Sequence, residues 1–202
     1  MFKIGITGGV GSGKSLLLAY LKERYGAYVI VADELAQKLE QPGEACYDAL
    51  KEAFGDGIFS ADGLLDKKAF AALIFSDEDA RKKANAIIHP AVRIAIEQQL
   101  KEQEEAGCKL FVLEAALLIE EGYDQILDEL WYVYAPEQLR LKRLEESRGY
   151  SMEKSLSIMR GQKSDIEFRK HCRRIIDNGG EPWESEAQLD AILSGEDYCH
   201  GL

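Results

Sequence analysis

No apolar run in this sequence approaches the roughly 20 residues that cross a bilayer, and its first ten residues have neither the basic start nor the cleavage site of a secretory signal. A membrane-bound or exported protein is therefore not expected, and the chain reads as cytoplasmic. It has only four cysteines, Cys46, Cys108, Cys172 and Cys199, widely spaced and without a CxxC pair. That pattern argues against a disulfide framework and a thiolate zinc site, and leaves buried or incidental thiols. Positive charge is also short, with 25 Lys and Arg against 36 Asp and Glu for a net charge of −11. A general nucleic-acid binder is not expected from that balance, because phosphate backbones reward clustered cations. Internal repeats and low-complexity segments are absent, as is the N/T-K-x-D tetrapeptide with which GTPases read guanine.

What remains is a chain of 202 residues, 46% of them hydrophobic. That suffices for one substantial core, so residues 1–202 are expected to form a single domain, with room for small excursions. The scarce positive charge is concentrated: residues 138–174 hold 11 Lys and Arg against five Asp and Glu, a local balance of +6 that leaves −17 elsewhere. Such an island suits a local anionic ligand, or else forms a solvated helix face.

Apolar runs at Phe2–Ile6 and Tyr28–Val31, separated by a helical pattern over Ser15–Arg24, open a parallel α/β sheet. Three later runs, "LFVLEAALL" from Leu110, "LWYVYA" from Leu130 and "RRIIDN" from Arg173, bring the expected strand count to five. Residues 41–107 are mostly helical in pattern, broken by "GDGIFSADG" and by His89-Pro90, and close with an exposed helix ending in a glycine. This is too much helix for one crossover. It reads as an excursion that covers a site.

The segment Gly8-Gly9-Val10-Gly11-Ser12-Gly13-Lys14-Ser15 fits G-x-x-x-x-G-K-[ST] without a mismatch, between a strand and a helix start. There, backbone N–H groups and the helix dipole converge on an anion, and glycines permit close approach. Lys14 would reach the β- and γ-phosphates of a nucleotide, and the Ser15 hydroxyl would hold Mg²⁺. A glycine-rich turn with an ordinary exposed lysine is the alternative. Asp33 directly follows the second strand, on the edge where open α/β sheets bind ligands. It is placed to accept a hydroxyl proton, or else caps a helix starting at Glu34. Arg140, Arg143 and Arg148 fall on one helix and its exit at Gly149, as a phosphoryl clamp or as surface ion-pair partners of Glu145 and Glu146. Glu114 is the nearest acid on an apolar strand that could complete a Mg²⁺ site. His89 reads as a packing residue or a ligand contact; His171 and His200 have no suggestive neighbours.

Together these residues resemble the dephospho-coenzyme A kinases, from about Phe2 to Asn178. The resemblance rests on an ordered series: "GITGGVGSGKS", Asp33, Gln41-Pro42-Gly43, Phe54-Gly55 with Asp62-Gly63, His89-Pro90, Leu117-Leu118, "QLRLKRLEESR" and Asp177-Asn178. It implies a P-loop kinase core with a five-stranded parallel sheet, a helical acceptor-binding excursion at 41–107 and a helical lid at 138–170. It also implies transfer of the γ-phosphoryl of ATP to the ribose 3′-hydroxyl of dephospho-coenzyme A. The roles implied are Asp33, Lys14, Arg140 and Arg148 in catalysis, and Gly8 to Ser15 with Arg148 around ATP. Thr7, Asp33, His89, Leu117, Leu118 and Lys67 would line the acceptor, and Ser15 would meet the metal. The chain departs from the family pattern at Ala116, where Pro is common, and at Lys67, where Arg is common. Small-molecule partners and a monomer are expected, with neither nucleic acid nor membrane. A related P-loop kinase with another acceptor, and a nucleotide-binding regulator without catalysis, remain as alternatives.

Overall fold

Strand β1 (Phe2–Thr7) is buried at four consecutive positions from Ile4 to Thr7, which is the signature of a strand covered on both faces. Four further strands, β2 (Tyr28–Val31), β3 (Leu110–Glu114), β4 (Glu129–Tyr134) and β5 (Arg174–Asp177), join it in the order β2-β3-β1-β4-β5. The pairings of β1 with β3 and β4, and of β4 with β5, are parallel. In that register Ile6 lies beside Glu114 on one side and Trp131 on the other. The computed structural model describes residues 1–195, so Cys199 and His200 lie outside the described residues.

Two compact units divide the chain: Met1–Val29 with the residues from Gly107 onward, and Ile30–Ala106. In the first, α1 (Lys14–Tyr25) follows the glycine-rich loop and stops at Gly26, whose φ of 61° only glycine adopts readily. Strand β3 is shorter than the apolar run suggests. It ends at Glu114, and the Ala-Ala-Leu-Leu segment, which has no β-branched residue, turns back so that Leu118 fills the space over Gly5 together with Leu127 and Leu130.

Residues 30–106 form a helical unit. Its helices are α2 (Ala32–Leu39), α3 (Tyr47–Phe54), α4 (Lys67–Ser76) and α5 (Glu78–Glu105), and α5 packs against the other three. Leu39, Leu50, Phe70, Ala84, Val92 and Ile96 form its core. Asp66 and Asp77 cap α4 and α5, each side chain accepting two backbone N–H bonds. The expected break at His89-Pro90 does not occur, because α5 runs its 28 residues with Pro90 inside it. Pro90 cannot donate to the Ala86 carbonyl and would end an isolated helix. Here Ala84 and Val92, buried on either side of it, hold the helix through that gap. The "GDGIFSADG" break does form, as a 3₁₀ turn at Asp56–Ile58 and a Phe59–Leu65 bridge.

Three helices, α6 (Glu137–Arg148), α7 (Met152–Arg160) and α8 (Asp165–His171), carry the basic island between β4 and β5. Helix α9 (Pro182–Leu193) follows β5 and packs on α1. Among the described residues no helix is long and apolar enough to cross a membrane. Cys46 and Cys172 are buried thiols, and burial pushes the Cys172 thiol up to about 12.

Candidate active site

The loop from Gly8 to Ser15 owes its shape to close packing on both sides. Gly11 and Gly13 have φ of 78° and 87°. A Cβ at Gly11 would stand 2.8 Å from the Arg140 carbonyl oxygen, and one at Gly13 would collide with the Asn178 amide. Side chains of other residues would therefore force the loop open.

The loop's carbonyl oxygens are held by named donors. The Lys14 ammonium donates to the Gly8 carbonyl at 2.8 Å, and the Ser12 N–H to that of Gly9 at 3.1 Å. Arg140 Nε donates to the Val10 carbonyl at 2.8 Å. The Ser12 carbonyl accepts from Asn178 Nδ2 at 2.7 Å and from Arg143 Nη1 at 3.3 Å, and the Gly13 carbonyl from the Leu16 N–H at 3.1 Å. A carbonyl turned into the loop would repel an anion; these bonds anchor the oxygens to the protein. No side chain caps the N-terminus of α1, whose first N–H groups have no partner within the helix. The loop is thus built to receive an anion at the positive end of the α1 dipole.

At the floor of the loop, Lys14 Nζ lies 3.5 Å from Glu114 Oε1, with both side chains largely buried. The hydroxyls of Thr7 and Ser12 and the Asn178 Oδ1 are buried and make no hydrogen bond among the described residues. Such atoms ask for a ligand or a water. Ser15 is exposed in the first turn of α1.

The arginines have separate positions. Arg140, half-buried, bonds the loop backbone, and burial pushes its pKa below the usual guanidinium value. Arg143 bridges the Ser12 and Asn178 carbonyls. Arg148, exposed at the end of α6, lies over the Tyr150 ring at 5.9 Å. Eight residues separate it from Arg140, about 12 Å along the helix axis. Arg140 and Lys14 are therefore at the loop, whereas Arg148 has no described bond to it.

In the helical unit, Asp33 is exposed in the first turn of α2, next to Glu34. It does not cap a helix starting at Glu34: α2 starts at Ala32, the cap position is Val31, and no side chain bonds there. Lys67 opens α4 and donates to Gln37 Oε1 at 2.6 Å. His89 is half-buried inside α5. Of the two leucines, Leu117 is exposed, while Leu118 is wholly buried over Gly5 and serves the core rather than a ligand surface.

A family model described as "Dephospho-CoA kinase" matches residues 2–184. The chain is 39% identical over 189 residues to the dephospho-CoA kinase of Geobacter sulfurreducens, covering 94% of this chain and 95% of that one. The chain belongs to the dephospho-CoA kinase family. Among solved structures, protein TT1252 from Thermus thermophilus superposes with a TM-score of 0.82 at 34% identity, over 96% of this chain and 97% of that one. The dephospho-CoA kinase from Campylobacter jejuni shares the fold, with a TM-score of 0.64 at 21% identity and 96% coverage of both chains.

Three residues that bind this kinase's loop have roles the sequence did not indicate: Arg143, expected as a phosphoryl clamp or a surface ion-pair partner, holds backbone carbonyls instead. Asn178 was legible only as the end of a motif. Gln162, in the turn between α7 and α8, carries no local signal; it accepts from the Val10 N–H at 2.9 Å across 152 residues of sequence. Among the described residues no group of three or more His, Cys, Asp or Glu could hold a metal ion. A Mg²⁺ held mainly by substrate phosphates needs few protein ligands, and the exposed Ser15 hydroxyl fits that demand.

Proposed function

We propose that this kinase transfers the γ-phosphoryl group of ATP to the ribose 3′-hydroxyl of dephospho-CoA, giving CoA and ADP, the final step of CoA biosynthesis. The observation that carries the reading is the loop of Gly8–Ser15, with five carbonyls held by hydrogen bonds and a lysine at its floor, in a chain of this family. A catalytically silent nucleotide binder would not need the further acid Asp33 in the first turn of α2.

In this reading Gly8, Gly9, Val10, Gly11, Ser12 and Gly13 cradle the β-phosphate, and Lys14 exchanges Glu114 for the phosphate oxygens. Asp33 accepts the proton of the acceptor hydroxyl. Arg140 fixes the loop, and Arg148 closes on the transferring group as charge builds on its oxygens. Mg²⁺, when bound with ATP, neutralises phosphate charge, with Ser15 as its protein ligand. Residues 41–107, with Lys67 and His89, bind the acceptor. Residues 138–170 act as the lid. The enzyme works as a monomer in the cytoplasm, on small molecules alone.

Incubation with Mg-ATP and dephospho-CoA should give CoA and ADP in equal amounts, with adenosine and AMP phosphorylated far more slowly. Equal kcat/KM for dephospho-CoA and adenosine would remove the assigned acceptor, since binding energy from the pantetheine arm must then contribute nothing.

A further inference from the structure

Gln162 meets Val10 and Arg140 together. Its Oε1 accepts from the Val10 N–H at 2.9 Å and lies 3.4 Å from Arg140 Nη2. Arg140 Nε in turn holds the Val10 carbonyl at 2.8 Å. The two peptide groups flanking the Val10 Cα are thus both fixed, one by the turn after α7 and the other by α6. No other residue of the loop is gripped by two side chains from the basic helices in this way among the described bonds. Val10 lies inside the Gly8–Ser15 loop, one residue before Gly11.

A carboxylate would be the stronger partner for this arrangement. It accepts both bonds, and it would pair with the half-buried Arg140 guanidinium, whose position away from water favours a counter-charge. The chain has a neutral amide there instead, in a segment with five acids among its 37 residues 138–174. The two side chains match in size and both offer Oε1 as an acceptor; the carboxylate adds a negative charge and replaces the amide's N–H donors with a second acceptor oxygen. A negative charge within hydrogen-bond reach of Val10 would lie well inside a Debye length of any polyphosphate in the loop, in a partly buried region where screening is weak.

We infer that Gln162 is a positioning residue for nucleotide binding: a neutral acceptor that fixes the Val10 backbone and adds no carboxylate against the Arg140 guanidinium, so that its positive charge remains available to the polyphosphate. This rests on the kinase reading above only in taking the loop's anion to be a nucleotide; it does not depend on the acceptor.

The test compares wild type, Gln162→Leu and Gln162→Glu by thermal unfolding without nucleotide and by calorimetric titration with Mg-ATP. Gln162→Leu should lower Tm and weaken Mg-ATP about tenfold, because the Val10 N–H loses its partner. Gln162→Glu should keep or raise Tm, because both bonds survive, yet still weaken Mg-ATP about tenfold, and the loss should shrink as ionic strength rises. A residue that only holds the turn in place predicts the opposite for Gln162→Glu, namely recovery of Tm and affinity together. Wild-type affinity in either variant overturns the inference, as does a Gln162→Glu protein that fails to fold. Titration needs no acceptor. A wild type that binds Mg-ATP but leaves dephospho-CoA untouched removes the proposed reaction and leaves this inference standing, and one that does not bind Mg-ATP removes both.

Discussion

Lys14 Nζ and Glu114 Oε1 face each other at 3.5 Å, and the same ammonium donates to the Gly8 carbonyl at 2.8 Å. Strand register produces the pairing: Glu114 ends β3 beside Ile6 of β1, the strand that runs into the loop. The carboxylate therefore pairs with the lysine that the proposed reading assigns to phosphate, and in that reading it would oppose an incoming polyphosphate.

Glu114→Gln should accordingly bind ATP more tightly than wild type in EDTA, by about threefold to tenfold, since a competing and repelling anion is gone. With Mg²⁺ present the advantage should vanish or reverse, because the carboxylate is then matched by the cation. Titrations with and without Mg²⁺ check this. A variant that loses ATP affinity equally in both conditions would assign Glu114 to holding the loop together.

Arg140 and Arg148 should separate in their effects. Arg140→Ala removes the Val10 clamp from a half-buried position, so it should lower Tm and weaken Mg-ATP. Arg148→Ala, at an exposed helix end, should leave Tm unchanged and lower kcat about 10²-fold with little change in ATP affinity, as expected for a cation that meets charge mainly in the transition state. An unchanged kcat for Arg148→Ala would return that residue to the solvated face of α6.

Alkaline unfolding should report on the α1–α9 contact. The hydroxyls of Tyr20 and Tyr25 both donate to Asp190 Oδ1, at 2.7 and 2.6 Å. Burial first, and then the bond to Asp190, pushes the Tyr25 pKa up to about 12. A folded value above the ordinary tyrosine value of about 10 means that this contribution is whole below pH 10 and is lost as pH rises towards 12. Asp190 has the opposite sign: the Tyr25 bond holds its carboxyl below the usual range, so its contribution is lost only as pH falls through that lowered value. Tm measured from pH 8 to 12 should therefore fall more steeply for wild type than for Tyr25→Phe. Equal slopes would mean that Tyr25 ionises without resistance.

The strands and the phosphate loop were legible because both are written locally. Leu110–Leu113 and Leu130–Val133 are unbroken apolar runs, and the loop is a fixed spacing of glycines, lysine and serine. Pro90 misleads for the same reason, since a local rule ends the helix there while burial of Ala84 and Val92 continues it. Leu117 and Leu118 read as one motif, yet the turn after Glu114 sends one to solvent and the other into the core. The parts of the site that could not be read are pairings between distant residues: Lys14 with Glu114, Ser12 with Arg143 and Asn178, and Val10 with Gln162. No spacing in the chain encodes them, because the sheet order and the α6–α8 crossover bring them together.

The role of Asp33 is the most direct question for mutagenesis. It is exposed in the first turn of α2 and caps nothing, so its replacement has no structural bond to break. Asp33→Asn keeps the shape and leaves the loop of Gly8–Ser15 untouched; Tm and Mg-ATP affinity should stay near wild type. Turnover should fall by about 10² or more, the range for a positioned general base. Phosphoryl transfer proceeds through a loose transition state that demands little early deprotonation, so part of that loss can come from misplacement of the acceptor hydroxyl. The pH profile separates the two. Proton acceptance predicts that wild-type kcat/KM falls at low pH through a single ionisation and that Asp33→Asn lacks this limb, whereas positioning alone predicts the same limb in both at different heights. Near wild-type turnover in Asp33→Asn would exclude Asp33 from the chemistry, and loss of Mg-ATP binding would make it a metal ligand instead.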